Sequence, residues 1–105
     1  MMPELTILVV TADPVRARAA TMVALSAAAL GERVQMFFHD DAVRLLVGTA
    51  AGDLTEALSA GVRIIACQTG LAANKLPFAA LPDGCEAGGL VSVLASARDD
   101  RLLSF

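Results

Sequence analysis

Apolar positions follow two rhythms along this chain, and their alternation predicts its architecture. Residues 5–10 (LTILVV) form an almost unbroken apolar run with β-branched side chains, as in a strand buried on both faces. Residues 34–38 (VQMFF) and 62–66 predict two more strands, the last running straight into Cys67. Helical spacing separates them. Asp13-Pro14 is a strong helix start, since Asp caps exposed amides and Pro at the first helical position loses no hydrogen bond. The helix that follows puts Val15, Ala19, Met22, Val23, Ser26, Ala27 and Leu30 on one face, expected to turn inward, and Gly31 closes it.

Residues 42–47 and 53–60 read as short helices joined by a small-residue loop over 48–52, with Gly61 as terminator. Two prolines and a Pro-Asp-Gly turn interrupt residues 77–84. Beyond them come a short edge strand over 85–87, a helix over 88–99 with Leu90, Val91, Leu94 and Ala97 inward, and a last strand over 101–105. Strand and helix alternate in units of roughly thirty residues, the spacing of right-handed βαβ crossovers. The expectation is a single-domain three-layer α/β sandwich with a mostly parallel sheet of four or five strands. In a flavodoxin-like order, the first strand lies between the second and the Cys67 strand.

Composition narrows the picture. The hydrophobic fraction is 56%, but 21 of the 105 residues are alanine and four are aromatic, which favours a tightly packed α/β core over a β-sandwich. A net charge of −3 and a pI near 4.9 lack the basic face that nucleic acid requires. The opening Met1-Met2-Pro3-Glu4 carries acid where a signal peptide carries base. The longest uncharged apolar run, residues 19–30, is too short to span a bilayer. These features predict a cytoplasmic protein without a membrane partner. In a reduced compartment Cys67 and Cys85 are expected as free thiols. One histidine and no paired Cys/His spacing predict neither a metal nor a bound cofactor.

Three predicted strand ends carry polar groups: Thr11 and Asp13, His39 and Asp40, and Cys67 with Gln68 and Thr69. Ligands bind outside the carboxyl ends of strands in open α/β sheets, so Cys67 is the first candidate for chemistry. A helix start stabilises thiolate over thiol. The amides of Gln68, Thr69 and Gly70, with Arg16 or Lys75, would favour ionisation, whereas Asp13 and Asp40 would oppose it. With the expected strand order, His39 lies two strand spacings, roughly 10 Å, from Cys67 and is too far for a direct dyad. Spacing excludes several cysteine chemistries. Ala73 stands where a phosphatase- or rhodanese-type loop places Arg, and the first strand lacks the glycines of a dinucleotide loop. Packing alone is the competing reading for Cys67, because cysteine also serves as a small buried apolar residue.

The chain resembles the DsrE/DsrF-like family of small sulfur-relay proteins over nearly its full length. The resemblance is carried by LTILVVTAD, by the Ala-rich first helix, and by the stretch from Met36 through His39, Asp40, Asp41 and Val43 to Leu46. The approach to Cys67 from Gly61 and the closing DDRLLSF complete it. It implies DsrE-type topology, homo- or hetero-oligomers, and a cysteine at the Cys67 position that carries sulfur as a persulfide between donor and acceptor proteins. Two departures stand out. Many relatives have Asp-Gly-Val where this chain has Asp41-Ala42-Val43, and a basic residue followed by Gly where it has Asn74-Lys75-Leu76. Self-association is also expected from exposed side chains around Met36 to Phe38. Cys85 is a candidate resolving thiol if its Cα comes within about 7 Å of that of Cys67. The alternatives are a non-catalytic oligomeric or small-ligand-binding module, and a thiol redox sensor using both cysteines.

Overall fold

A computed structural model describes residues 4–48 and 51–105. The chain runs β1 (Glu4–Val9), α1 (Pro14–Ala29), β2 (Arg33–Phe38), a 3₁₀ segment (Asp40–Leu46) and α2 (Ala51–Ser59). Next come β3 (Arg63–Cys67), α3 (Gln68–Ala73), a 3₁₀ turn (Phe78–Ala80), β4 (Glu86–Gly88), α4 (Leu90–Ser96) and β5 (Arg101–Ser104). All five strands are parallel, in the order β4-β3-β2-β1-β5.

The α/β class, the single layered domain and the parallel sheet are as expected. The expected strand order is not. β2, with five of its six residues buried, occupies the centre and pairs with β1 on one side and β3 on the other. The chain steps one way from β1 to β4, then reverses to lay β5 beside β1. Right-handed crossovers that step one way put their helices on one face, and the reversal puts the last helix on the other. Accordingly α1 packs on β1 and β2, α2 packs on α1 and β3, and α4 lies on the opposite face, where Ser96 meets Gln35.

The start of α1 follows the expected chemistry. Asp13 Oδ1 accepts the Val15 amide at 2.9 Å, and Pro14 opens the helix. Gly31, with φ of 88°, ends it in a left-handed turn where Glu32 N–H reaches back to Ala27 O. The inward face differs from the expected one. Ala17, Ala20, Thr21, Ala24 and Ala27 are buried, whereas Val15 is 78% exposed, Met22 59% and Leu30 83%. Small side chains let the helix backbone lie close to the sheet, so size outweighs hydrophobicity in choosing the face. In α4 the buried residue is Val93, followed by Ala97 just past the helix, and Val91 and Leu94 point outward. Met36, Phe37 and Phe38 are fully buried, so they are not the self-association surface expected of them. Both faces of a central parallel strand are covered.

The face under α4 is organised in rows. Thr6, Gln35 and Arg63 align across β1, β2 and β3, as do Leu8, Phe37 and Ile65 one row up. The first row is polar and buried toward its centre. Gln35 Nε2 donates to Thr6 Oγ1 at 2.8 Å and Ser96 Oγ at 3.2 Å, Thr6 donates to Asp100 at 2.6 Å, and Arg63 forks onto Glu86 at 2.7 and 2.9 Å. That bond holds the Glu86 carboxyl below its ordinary range and raises Arg63.

Residues 49 and 50 of the expected loop lie outside the described residues, as do residues 1–3; α2 begins at Ala51, two residues earlier than expected. No helix among the described residues is long and apolar enough to cross a membrane.

Close alanine packing has a measurable consequence. Ala24→Leu should lower the unfolding free energy by about 1–3 kcal/mol through overpacking. Met22→Ala, at a far more exposed position on the same helix, should change it by less than about 0.5 kcal/mol. Urea denaturation of both variants checks this, and equal losses would contradict the assigned face.

Candidate functional site

Cys67 is the last residue of β3 and the N-cap of α3. Its backbone is still extended (φ −64°, ψ 118°), and its Sγ accepts the Gly70 amide at 3.4 Å. Serine, threonine or an acid more often fills this position. A thiol in their place becomes a much better acceptor once ionised. The residue is 7% exposed. At six residues, α3 is short, so the Gly70 amide outweighs any extended helix dipole as a local source of positive potential.

Gly70 is fixed by more than this bond. A β-carbon there would lie 2.3 Å from the carbonyl oxygen of Asp40, so only glycine lets the start of α3 rest against the start of the 3₁₀ segment. Asp40 takes a left-handed conformation, φ 50°, which Asp tolerates better than most residues. Asn74, at the C-cap of α3, donates to Asp41 Oδ1 at 3.1 Å and to Gly70 O at 2.8 Å. Both ends of α3 are thereby tied to the start of the 3₁₀ segment. The sequence reading missed this pairing, which spans 33 residues. Its one local signal was a glycine in the first turn of a predicted helix, a mark of close backbone approach.

Strand order redraws the surroundings of Cys67. Phe38 is the partner of Ala66, so the next row places His39 beside Cys67, one strand spacing away at about 4.8 Å. His39 is still extended (φ −84°, ψ 136°) and donates its backbone N–H to Val9 O at 2.9 Å. Alternation puts its side chain on the same face as Phe37, whose ring it meets at 6.1 Å between centroids, and hence on the Cys67 face. The Nδ1 atom of His39 is buried without a hydrogen-bond partner among the described residues.

The other expected site residues fall in three places. Gln68 and Thr69 follow Cys67 in α3 and are exposed. Thr11, Asp13 and Arg16 lie after β1, which β2 separates from β3. Asp13 is engaged in capping α1, and Arg16 is exposed on that helix. They do not adjoin the thiol. Lys75 is exposed with φ 55° and serves to end α3, its N–H donating to Ala72 O and Leu76 N–H to Leu71 O.

Cys85 is a free, buried thiol, as is Cys67. It stands three residues before Gly88, the β4 partner of Cys67, or roughly 10 Å of extended chain. A disulfide requires Cα atoms within about 7 Å. The resolving role expected for Cys85, and the two-cysteine redox sensor, would need the backbone to move. Burial also pushes the Cys85 thiol up.

A model of the DsrE/DsrF-like family matches residues 5–105. No curated protein matches the sequence significantly. Among solved structures, the YchN protein from E. coli superposes with a TM-score of 0.88 at 19% identity, covering 99% of this chain and 100% of its own. MTH1491 from Methanobacterium thermoautotrophicum, a protein of unknown function, gives 0.88 at 17%, with 98% and 99% covered. BT1422 from Bacteroides thetaiotaomicron, also of unknown function, gives 0.78 at 20%, with 97% and 94% covered. These likenesses establish the fold.

Two measurements test the site geometry. Replacing a helical Gly with Ala usually stabilises by up to about 1 kcal/mol. Here Gly70→Ala should instead destabilise by about 1–3 kcal/mol, so the sign of the change in urea midpoint decides. Cys85 should alkylate slowly in the native protein at neutral pH and faster only above the ordinary thiol range, because burial disfavours its thiolate. Peptide mass mapping across pH checks this, and rapid labelling at neutral pH would contradict it.

Proposed function

The chain belongs to the DsrE/DsrF-like family, and from that premise we propose that it is a sulfur carrier or sulfurtransferase-like protein working through a persulfide on Cys67. The observation that carries this reading is the placement of one thiol at the carboxyl edge of the sheet, with the Gly70 amide aimed at its sulfur. The Cys67 thiolate attacks the outer sulfur of a donor persulfide. A new S–S bond forms, the donor's S–S bond breaks, and the donor leaves as a thiolate. Attack by an acceptor nucleophile on the Cys67 persulfide then passes the sulfur on. Neither metal nor organic cofactor enters these steps.

Gln68 and Thr69 form the exposed approach to the thiol, and Gly70 supplies the amide that steadies charge on Sγ. The shallow exposure of Cys67 suits a group that must be shielded from oxidants and delivered only to a docked partner. Donor and acceptor proteins are the proposed partners, in the cytoplasm, where thiols stay reduced. The acidic balance of the chain argues against nucleic acid. Outward apolar side chains support a homo- or hetero-oligomeric state: Val15, Met22 and Leu30 along α1, and Val91, Leu94 and Leu102 about α4 and β5. The same side chains favour the second reading, an oligomeric module in which Cys67 only packs and caps.

Intact-mass measurement after exposure to a sulfane-sulfur donor separates the two. The native protein should gain one sulfur atom, and Cys67→Ser, which retains a capping oxygen, should gain none. Absence of an adduct on the native protein, with slow alkylation of Cys67, would favour the packing role.

A further inference from the structure

We propose that His39 is the proton acceptor for Cys67. The proposal rests on Cys67 being the nucleophile of the sulfur-carrier reading, and it adds the group that generates the thiolate. Three observations support it. The β2–β3 register brings His39 and Cys67 into one row on one face. The Nδ1 atom of His39 is buried with no hydrogen-bond partner among the described residues, and a buried polar atom of this kind calls for an explanation. Cys67 Sγ is already an acceptor, from Gly70 N–H, so its own S–H still needs one. A thiol and an imidazole nitrogen that has no donor among the described residues thus stand on adjacent strands. Such pairs are often looser in the resting protein than in the reacting complex.

Neutral His39 takes the S–H proton at Nδ1, leaving thiolate and imidazolium. The thiolate then attacks the donor persulfide, and the departing donor thiolate takes the proton from His39, which returns to neutral. No net oxidation occurs. Phe37 holds the imidazole from the row below through the ring contact. Charged groups on the adjoining elements are Asp13 after β1, Asp40, Asp41 and Arg44 in the 3₁₀ segment, Lys75 after α3, and Glu86 on β4, which is paired with Arg63. Asp13 is engaged in capping α1, and Asp41 accepts from Asn74.

The test compares the native protein with His39→Gln, which keeps a polar side chain of similar size but cannot titrate. The rate of iodoacetamide labelling at Cys67, mapped by peptide mass, is followed from pH 5 to 10, with circular dichroism as the folding control. The native curve should rise at lower pH. At pH 6 the native protein should label about tenfold faster than the variant. Superimposable curves from two folded proteins would overturn the proposal. If His39→Gln fails to fold, the same question is put to Cys67→Ser by NMR. The His39 ring-proton titration should move to lower pH once the thiolate is gone, and an unmoved titration would refute the pairing. Neither measurement uses a sulfur donor. Failed persulfide loading with shifted curves would therefore reject sulfur carriage and keep His39, whereas loading with unshifted curves would do the reverse.

Discussion

Everything in this molecule hangs from the position of β2 at the centre of the sheet. A central parallel strand has both of its hydrogen-bonding edges occupied and both of its faces covered. The burial of Val34, Gln35, Met36, Phe37 and Phe38 reflects both conditions. Because β2 lies between β1 and β3, the polar ends of all three strands emerge in order along one edge of the sheet. His39 then has Val9 behind its amide and Cys67 beside its side chain. Had β1 been central, the thiol would have stood next to Thr11 and Asp13.

Around that strand, short connections do the positioning. The start of the 3₁₀ segment and the start of α3 meet backbone to backbone, through Gly70 on the Asp40 carbonyl, and Asn74 spans them through Asp41. The thiol is held by a capping bond, a glycine contact and an amide clamp. Each involves groups whose placement depends on backbone geometry more than on side-chain bulk, so the local arrangement tolerates little displacement.

The parts legible in the sequence were those governed by neighbours in the chain. Asp13-Pro14 marks a helix start and Gly31 and Gly61 mark helix ends because capping is a matter of a few consecutive residues. Lys75 takes the same left-handed conformation without being glycine, so that helix end carries no such mark. Cys67 was found because an apolar run stops at it. The order of strands was not legible, since each parallel partner is separated by a whole crossover and apolar strands pair in several orders equally well. The buried face of α1 escaped for another reason: hydrophobicity favours Met22 and Leu30, whereas the distance between helix and sheet selects Ala20 and Ala24. The contact of Gly70 with Asp40 escaped because it joins the segments after two different strands, which only the folded sheet brings side by side.

The polar row of Thr6, Gln35 and Arg63 acts as an alignment gauge for the opposite end of the sheet. Side chains on a strand alternate with a period of two, so a slip of one residue would turn Gln35 out of reach of Thr6 and Ser96 and toward the alanines of α1. An apolar row would accept several neighbouring registers, whereas a buried amide accepts the one that gives it partners. The same offset that satisfies Gln35 on β2 carries His39 level with Cys67 four residues later. A hydrogen-bond requirement at the base of the sheet thus sets the alignment of His39 and Cys67 at its top, on the far side of a row of apolar residues.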